Sequence, residues 1–466
     1  MLKLFLILSL LASIFPKGLR AQENNKFGIH IMQPSDLKKA SQLVNSSGGD
    51  WGWVTVVIQD SDMNHDKWQD FMNQCRILHL IPIVRTATHF EKTNWAKPKI
   101  DDINSWVDFL NNLNWPTKER WIIIFNEPNH ITEWGGEINP AEYGEILNDF
   151  IFKLKNKNTD FKILNAGLDL AAPNSKTTRE SFLFMNQVNE KVPGIFEKID
   201  GWATHSYPNH GYLGKPWEYS KSSIKGYEWE LNYLKNQFGL KKDLPVFITE
   251  TGWPKTDSKL KIKNSKYYSE TITAEYIKYA FENIWLNDSK IVAVTPFVLD
   301  YPGELFFDFS WLDKQGNPYP AFEEILKIPK IKGRPEQEFN AEVFSIIAPY
   351  FLPTETEFKG RIIIKNSGQS IWGEYSTLVS PAFSKDLVYV SDLILNEGVK
   401  VFPGEKISLD FALKSSSISG DFIFGWENLG NFKIKVLPSS VITQTRYNFW
   451  EKIVLKVKSF LNQAQK

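Results

Sequence analysis

Eight short apolar runs recur along residues 27–297, separated by longer amphipathic segments, and this alternation most constrains the fold. The runs cover residues 27–31, 54–58, 80–85, 121–125, 161–166, 199–204, 246–249 and 291–297. Runs that are apolar nearly throughout fit strands buried on both faces, as in parallel sheets. The segments between them have helical period. In residues 67–78, for example, Trp68, Phe71, Met72 and Cys75 recur at intervals of three and four, and residues 141–154 and 274–285 behave alike. Strand, helix and strand spaced by roughly 25 to 45 residues imply parallel pairing through right-handed crossovers. Eight strands is the number that closes a barrel. We therefore expect an α/β chain with a (β/α)8 TIM barrel over residues 27–328. An open doubly wound sheet would usually place a glycine-rich phosphate loop after its first strand, and Ile29-His-Ile-Met-Gln-Pro34 has none.

Beyond residue 328 the pattern changes. Residues 329–338, rich in Lys, Pro and Gly, read as a linker, and alternating runs at 361–368 and 407–413 predict a small all-β sandwich domain over residues 339–440. A chain of 466 residues with 42% hydrophobic content has ample material for two cores. Lys plus Arg and Asp plus Glu both number 54, so no global field favours nucleic acid or an anionic membrane. A neutral polymer is the better-matched partner. The lone cysteine, Cys75, excludes an intramolecular disulfide and reads as a buried helix position.

Residues 1–21 pair Lys3 with an apolar stretch at 4–15 and end in Pro16-Lys-Gly-Leu-Arg-Ala21, an export signal pattern with cleavage near Ala21. The stretch is short of the ~20 residues a membrane span needs, which makes an uncleaved anchor the weaker alternative. The expected location is secreted or cell-surface. Residues 441–466 contain Phe449, Trp450, Ile453, Val454, Val457 and Phe460 at the spacing of an amphipathic helix, which would dock on the sandwich or touch a surface. Membrane contact is expected only through an uncleaved signal or this tail, and the protein is expected to be a monomer.

Two of the runs end in glutamates, in Trp121-Ile-Ile-Ile-Phe-Asn-Glu127 and Val246-Phe-Ile-Thr-Glu250. A carboxylate just past the carboxyl end of a barrel strand faces the rim where barrel sites form. Strands four and seven stand on different sides of the ring, so their carboxylates can converge over the mouth. Glycosidic bond cleavage with retention needs such a pair, one acid and one nucleophile, ~5 to 5.5 Å apart. Other chemistries find no support. The seven histidines lack metal-site spacing, there is no Gly-x-Ser-x-Gly elbow, and Asp60-Ser-Asp62-Met-Asn64 lacks the glycine and glutamate of a calcium loop. No metal or other cofactor is implied.

Asn126-Glu127-Pro128, Thr249-Glu250-Thr-Gly-Trp253 and Ala203-Thr-His205-Ser-Tyr207-Pro208 together resemble the motifs of the retaining glycoside hydrolases of clan A, which have a barrel fold. The resemblance implies Glu127 as acid/base, Glu250 as nucleophile, and Asn126 as donor to the sugar 2-hydroxyl. It also implies His205 and Tyr207 after strand six, the Tyr207 hydroxyl steadying the nucleophile, and Arg85 keeping that nucleophile ionised. Within the clan, residues 250–254 resemble family 17 β-1,3-glucanases, whereas Asn126-Glu-Pro-Asn129 resembles families 5 and 39. Many members end strand eight with a tryptophan platform. Here the segment reads Pro296-Phe297-Val-Leu-Asp300-Tyr301, so Phe297, Tyr301 or Trp311 would substitute. Residues 366–372 and 401–407 resemble the immunoglobulin-like modules appended to bacterial extracellular enzymes. The resemblance thus implies a secreted retaining β-glycosidase acting by double displacement on a polysaccharide or oligosaccharide. A non-catalytic glycan-binding protein on the same scaffold and a transglycosylase are the two alternatives.

Plainer roles compete for the same residues. Glu127 before Pro128 also fits a helix-start carboxylate, Arg85 an ordinary salt bridge, and His205 with Tyr207 a pair bracing the rim. Of the 17 tryptophans, Trp134, Trp217, Trp253 and Trp311 fall in predicted loops on the catalytic side, where they are candidates for stacking on sugar rings. Trp106 and Trp285 lie on helix faces and are expected in the core.

Overall fold

The computed structural model describes residues 23–256, 266–373, 378–379, 388–427 and 429–439. The expected export signal at 1–21 and the expected amphipathic tail at 441–466 lie outside the described residues. Eight parallel strands form the centre: β1 (Gly28–Ile31), β2 (Gly52–Gln59), β3 (Leu80–Ala87), β4 (Arg120–Ile124), β5 (Phe161–Leu164), β6 (Trp202–Thr204), β7 (Val246–Ile248) and β8 (Ile291–Val294). Strands β1 to β5 pair in order, and β6, β7 and β8 form a second arc. Parallel bridges Leu164↔Gly201 and Phe27↔Val294 join the arcs at both ends. The ring is closed.

Each apolar run becomes a strand because burial on both faces rewards it, and all eight residues of β3 are buried. The fourth run was expected to continue to residue 125, but β4 ends at Ile124. Phe125 and Glu127 take φ values of 66° and 28°, which turn the chain out of the sheet. The helices are α1 (Leu37–Val44), α2 (His65–Ile77), α3 (Ile103–Asn112), α4 (Pro140–Lys157), α5 (Ser181–Lys191), α6 (Gly226–Phe238), α7 (Glu270–Ala280) and α8 (Pro320–Lys327). Helix α2 buries Trp68, Phe71, Met72 and the free Cys75, as its period predicts. Trp106 and Trp285 are core residues. Helix α4 starts sharply because Asn139 caps it, accepting from the Glu142 amide at 3.1 Å, and Pro140 opens its first turn.

At the amino-terminal end of the strands, Trp53, Trp121 and Phe247 fill the barrel. The Trp121 and Phe247 rings lie 4.4 Å apart and Trp53 meets Phe247 edge-on at 5.7 Å. Burying each of these side chains contributes about 1.5 to 3 kcal/mol or more. The barrel is a packed core rather than a pore, which leaves chemistry to the opposite end.

The second region is a β-sandwich. One sheet contains β9 (Ala341–Ile347), β11 (Glu357–Asn366), β12 (Tyr389–Val390) and β13 (Lys406–Lys414), in the order β9-β11-β13-β12. The other contains β10 (Phe351–Pro353), β14 (Gly420–Trp426) and β15 (Gly430–Leu437), in the order β10-β15-β14. Alternate residues of β13, among them Leu409, Phe411 and Leu413, enter a core shared with Ile362, Ile364, Phe424 and Trp426. Buried Arg76 fastens this region to the barrel. Its Nε donates to the Gln369 carbonyl at 2.6 Å, and its Nη2 to the Asn114 and Trp115 carbonyls at 3.0 and 3.1 Å. Gln369 Nε2 donates in return to the Thr117 carbonyl at 3.0 Å. Residues 114–117 lead into β4, so the sandwich sits at the floor of the barrel, away from the strand ends that carry the glutamates.

Candidate active site

The turn after β4 aims Glu127 over the barrel mouth. Residues 125–130 form no helix, which removes the helix-start role, and the Glu127 amide donates to the Gly167 carbonyl at 3.1 Å. Buried Asn129 ties the same loop to the carbonyls of Asp169 and Arg179 at 3.0 and 3.1 Å. Glu250 follows β7 directly and is 8% exposed.

His205 links the two. Its Nδ1 lies 2.7 Å from Glu127 Oε1 and 3.9 Å from Glu250 Oε2. The ring fits because residue 167 is glycine: a Cβ there would lie 2.2 Å from His205 Cδ2. Burial opposes a charge on His205, but Glu250 and Glu127 outweigh it and raise its pKa.

Two further side chains donate to Glu250. Arg85 Nη1 donates to its Oε1, and the same nitrogen donates to Asn126 Oδ1 at 2.6 Å. Tyr207 donates its hydroxyl to Glu250 Oε2 at 3.1 Å. Burial pushes the Glu250 pKa up, yet His205 and Arg85 more than offset this and hold the carboxyl at about 2. Burial and the same carboxylate raise Tyr207 well above the usual phenol range, so it stays a donor. Glu127, Glu250, Asn126, His205, Tyr207 and Arg85 thus meet as one cluster, although they come from four strand ends.

The tryptophans do not join it. Trp134 is fully buried, its indole donating to Glu142 Oε2 at 2.8 Å between Phe125 and Tyr143. Trp253 is buried with its indole on the Gly214 carbonyl at 2.7 Å, and Trp311 is buried in the main core. Trp217 is exposed, but it lies against Tyr276 and Tyr279 on the outer helix α7. Burial leaves Trp134, Trp253 and Trp311 no open face for the expected stacking role, whereas Trp217 keeps an exposed ring. Phe297 stands nearer the chemistry, in a buried group with Phe309 that packs against Tyr207, Tyr212 and Tyr301.

Sequence reasoning missed three groups. His30 on β1 is fully buried, with Nε2 3.9 Å from Glu250 Oε1 and Phe297 5.2 Å away. Burial and then Arg85 lower its pKa to about 3, so it is neutral beside the carboxylate. Its signal was a polar residue inside the apolar run at 27–31. The other two are the His130–Asp169 pair, 2.9 Å apart behind Glu127, and Glu133, which accepts from Asn126 Nδ2 at 3.2 Å. No motif pointed to either.

No protein-family model matches the chain, and no curated protein matches it by sequence. Solved structures do. A GH39 beta-xylosidase from Caulobacter crescentus shares 12% identity over 86% of this chain and 98% of that chain, with a TM-score of 0.46. A GH128 (subgroup II) endo-beta-1,3-glucanase from Sorangium cellulosum shares 13% over 66% and 98%, with a TM-score of 0.42. A beta-mannanase from Thermomonospora fusca shares 14% over 64% and 87%, at 0.40. These neighbours are glycoside hydrolases. The ring of strand pairings itself makes this chain a (β/α)8 barrel followed by a β-sandwich.

Proposed function

We propose that the protein is a β-glycoside hydrolase that works by double displacement, with Glu250 as nucleophile and Glu127 as acid and then base. One observation carries this reading: a single imidazole nitrogen lies 2.7 Å from the Glu127 carboxyl group and 3.9 Å from that of Glu250. The two distances keep Glu127 Oε1 and Glu250 Oε2 within roughly 6.6 Å of each other, a bound compatible with a retaining pair at ~5 to 5.5 Å.

The environment supports the division of labour. A nucleophile must be ionised in advance, and Arg85 and Tyr207 favour the charged form of Glu250. Among the described residues Glu127 accepts from no arginine, and it lies beside a titratable histidine, an arrangement suited to a group that gives and regains a proton. Asn126, fixed by Arg85, would donate to the sugar 2-hydroxyl. In the first step the Glu250 carboxylate bonds to the anomeric carbon while Glu127 protonates the departing oxygen. In the second, water loses its proton to Glu127 and displaces Glu250. The protein would act outside the cytoplasm, exported by residues 1–21, on a β-linked glycan.

The test is sugar release from β-glucans, mannan, xylan, galactan and chitin, with wild type beside Glu250→Gln. Release by the wild type that falls more than about a thousandfold in the variant is expected. Release that survives the substitution would sink the reading.

A further inference from the structure

A cavity of about 130 Å3 opens beside the cluster, bounded by Met32, Gln59, Arg85, Trp95, Asn126 and Glu133 among others. That is space for roughly four waters, or one sugar ring in their place. Trp95 is half-buried and stands on a short hairpin (Phe90–Glu91 with Asn94–Trp95) raised from the end of β3. Glu133 closes a helical turn, Ile131–Glu133, in the loop after β4, and Gln59 is the last residue of β2. Three separate excursions of the chain converge here.

The polar groups of the cavity have bonding capacity left over. Glu133 gives Oε2 to Asn126, and its Oε1 has no partner among the described residues. Burial, followed by the nearby Glu127, pushes the Glu133 carboxyl up to about 7. Near neutral pH it can therefore donate as well as accept. The cavity shares Arg85 and Asn126 with the cluster, and its lining includes none of His205, Glu127 and Glu250.

We propose, building on the hydrolase reading, that this cavity is a sugar subsite: Trp95 offers a flat face to the sugar's C–H surface, and Glu133 and Gln59 bind its hydroxyls. Glu133 also acts as a positioning residue, because its bond to Nδ2 fixes which way the Asn126 amide points.

The test measures binding without turnover. Full-length Glu250→Gln protein is titrated calorimetrically with cellotriose, laminaritriose, mannotriose and xylotriose, and the titrations are repeated with Glu133→Gln, Trp95→Ala or Gln59→Ala added. For the trisaccharide bound best, each addition is expected to weaken affinity at least tenfold. Gln59→Ala lies outside the Asn126 network, so its loss separates sugar contact from a disturbed asparagine. Unchanged affinity in the three double variants overturns the subsite, as does binding of none of the four sugars. If the wild type still cleaves a polymer in either case, the hydrolase reading survives. Conversely, Glu133-dependent binding in a protein that cleaves nothing would keep the subsite and remove the hydrolase.

Discussion

His205 Nδ1 lies 2.7 Å from Glu127 Oε1, a contact between side chains 78 positions apart that sets one carboxyl group against the other. The contact depends on a missing atom. At residue 167 a Cβ would fall 2.2 Å from the His205 ring, with Nε2 only 2.5 Å away.

Gly167→Ala should therefore push the imidazole off Glu127 while leaving both glutamates in place. We expect kcat on the substrate found in the polysaccharide panel to fall by about 10- to 100-fold, as a misplacement of about 1 Å does in other sites. Unaltered kinetics, with circular dichroism matching the wild type, would show that His205 does not need this position.

Arg85 is one of the charges that keep Glu250 ionised down to about pH 2. Its removal in Arg85→Leu should raise the Glu250 pKa by about 1 to 3 units. The acid limb of kcat/KM should then move to higher pH by a similar amount. A limb that stays put would assign it to another group.

Glu230 is fully buried on α6, where it accepts from the Thr204 hydroxyl at 2.5 Å. Burial raises its pKa from 4.5 to about 7 despite that bond. The folded state thus holds a proton that the unfolded chain releases, so this contribution is complete below pH 4.5 and is lost as pH rises through about 7. The loss is on the order of 3 kcal/mol. Glu230→Gln should accordingly unfold at higher urea than wild type at pH 8.5, and lose that advantage at pH 4.5. Parallel urea midpoints at both pH values would contradict the assignment.

Trp134 and Trp217 should separate by stability. Trp134→Ala empties a fully buried site and should cost about 3 to 5 kcal/mol, whereas Trp217→Ala removes an exposed ring and should cost no more than about 1. Thermal melts of the two variants distinguish them, and a small loss at Trp134 would mean that its pocket collapses easily.

Much of this molecule is legible in its sequence, for a definable reason. Strand runs and helix stripes record burial, which acts residue by residue, so the eight-strand barrel and the sandwich pattern could be read from Phe27 to Val436. Glu127 and Glu250 were visible because each ends an apolar run, and a barrel places strand ends at one mouth. Trp134, Trp253 and Trp311 are buried because a loop position says nothing about what packs over it: Trp134 folds inward onto Phe125 and Glu142.

His30, Glu133 and Gly167 mark what only the tertiary structure decided. Their importance lies in distances to residues far along the chain, such as the 3.9 Å from His30 to Glu250. Local pattern determined which segments are buried and where the strands end. Ring closure determined which ends face one another, because electrostatic and steric effects act through space over a few ångströms, whatever the separation in sequence.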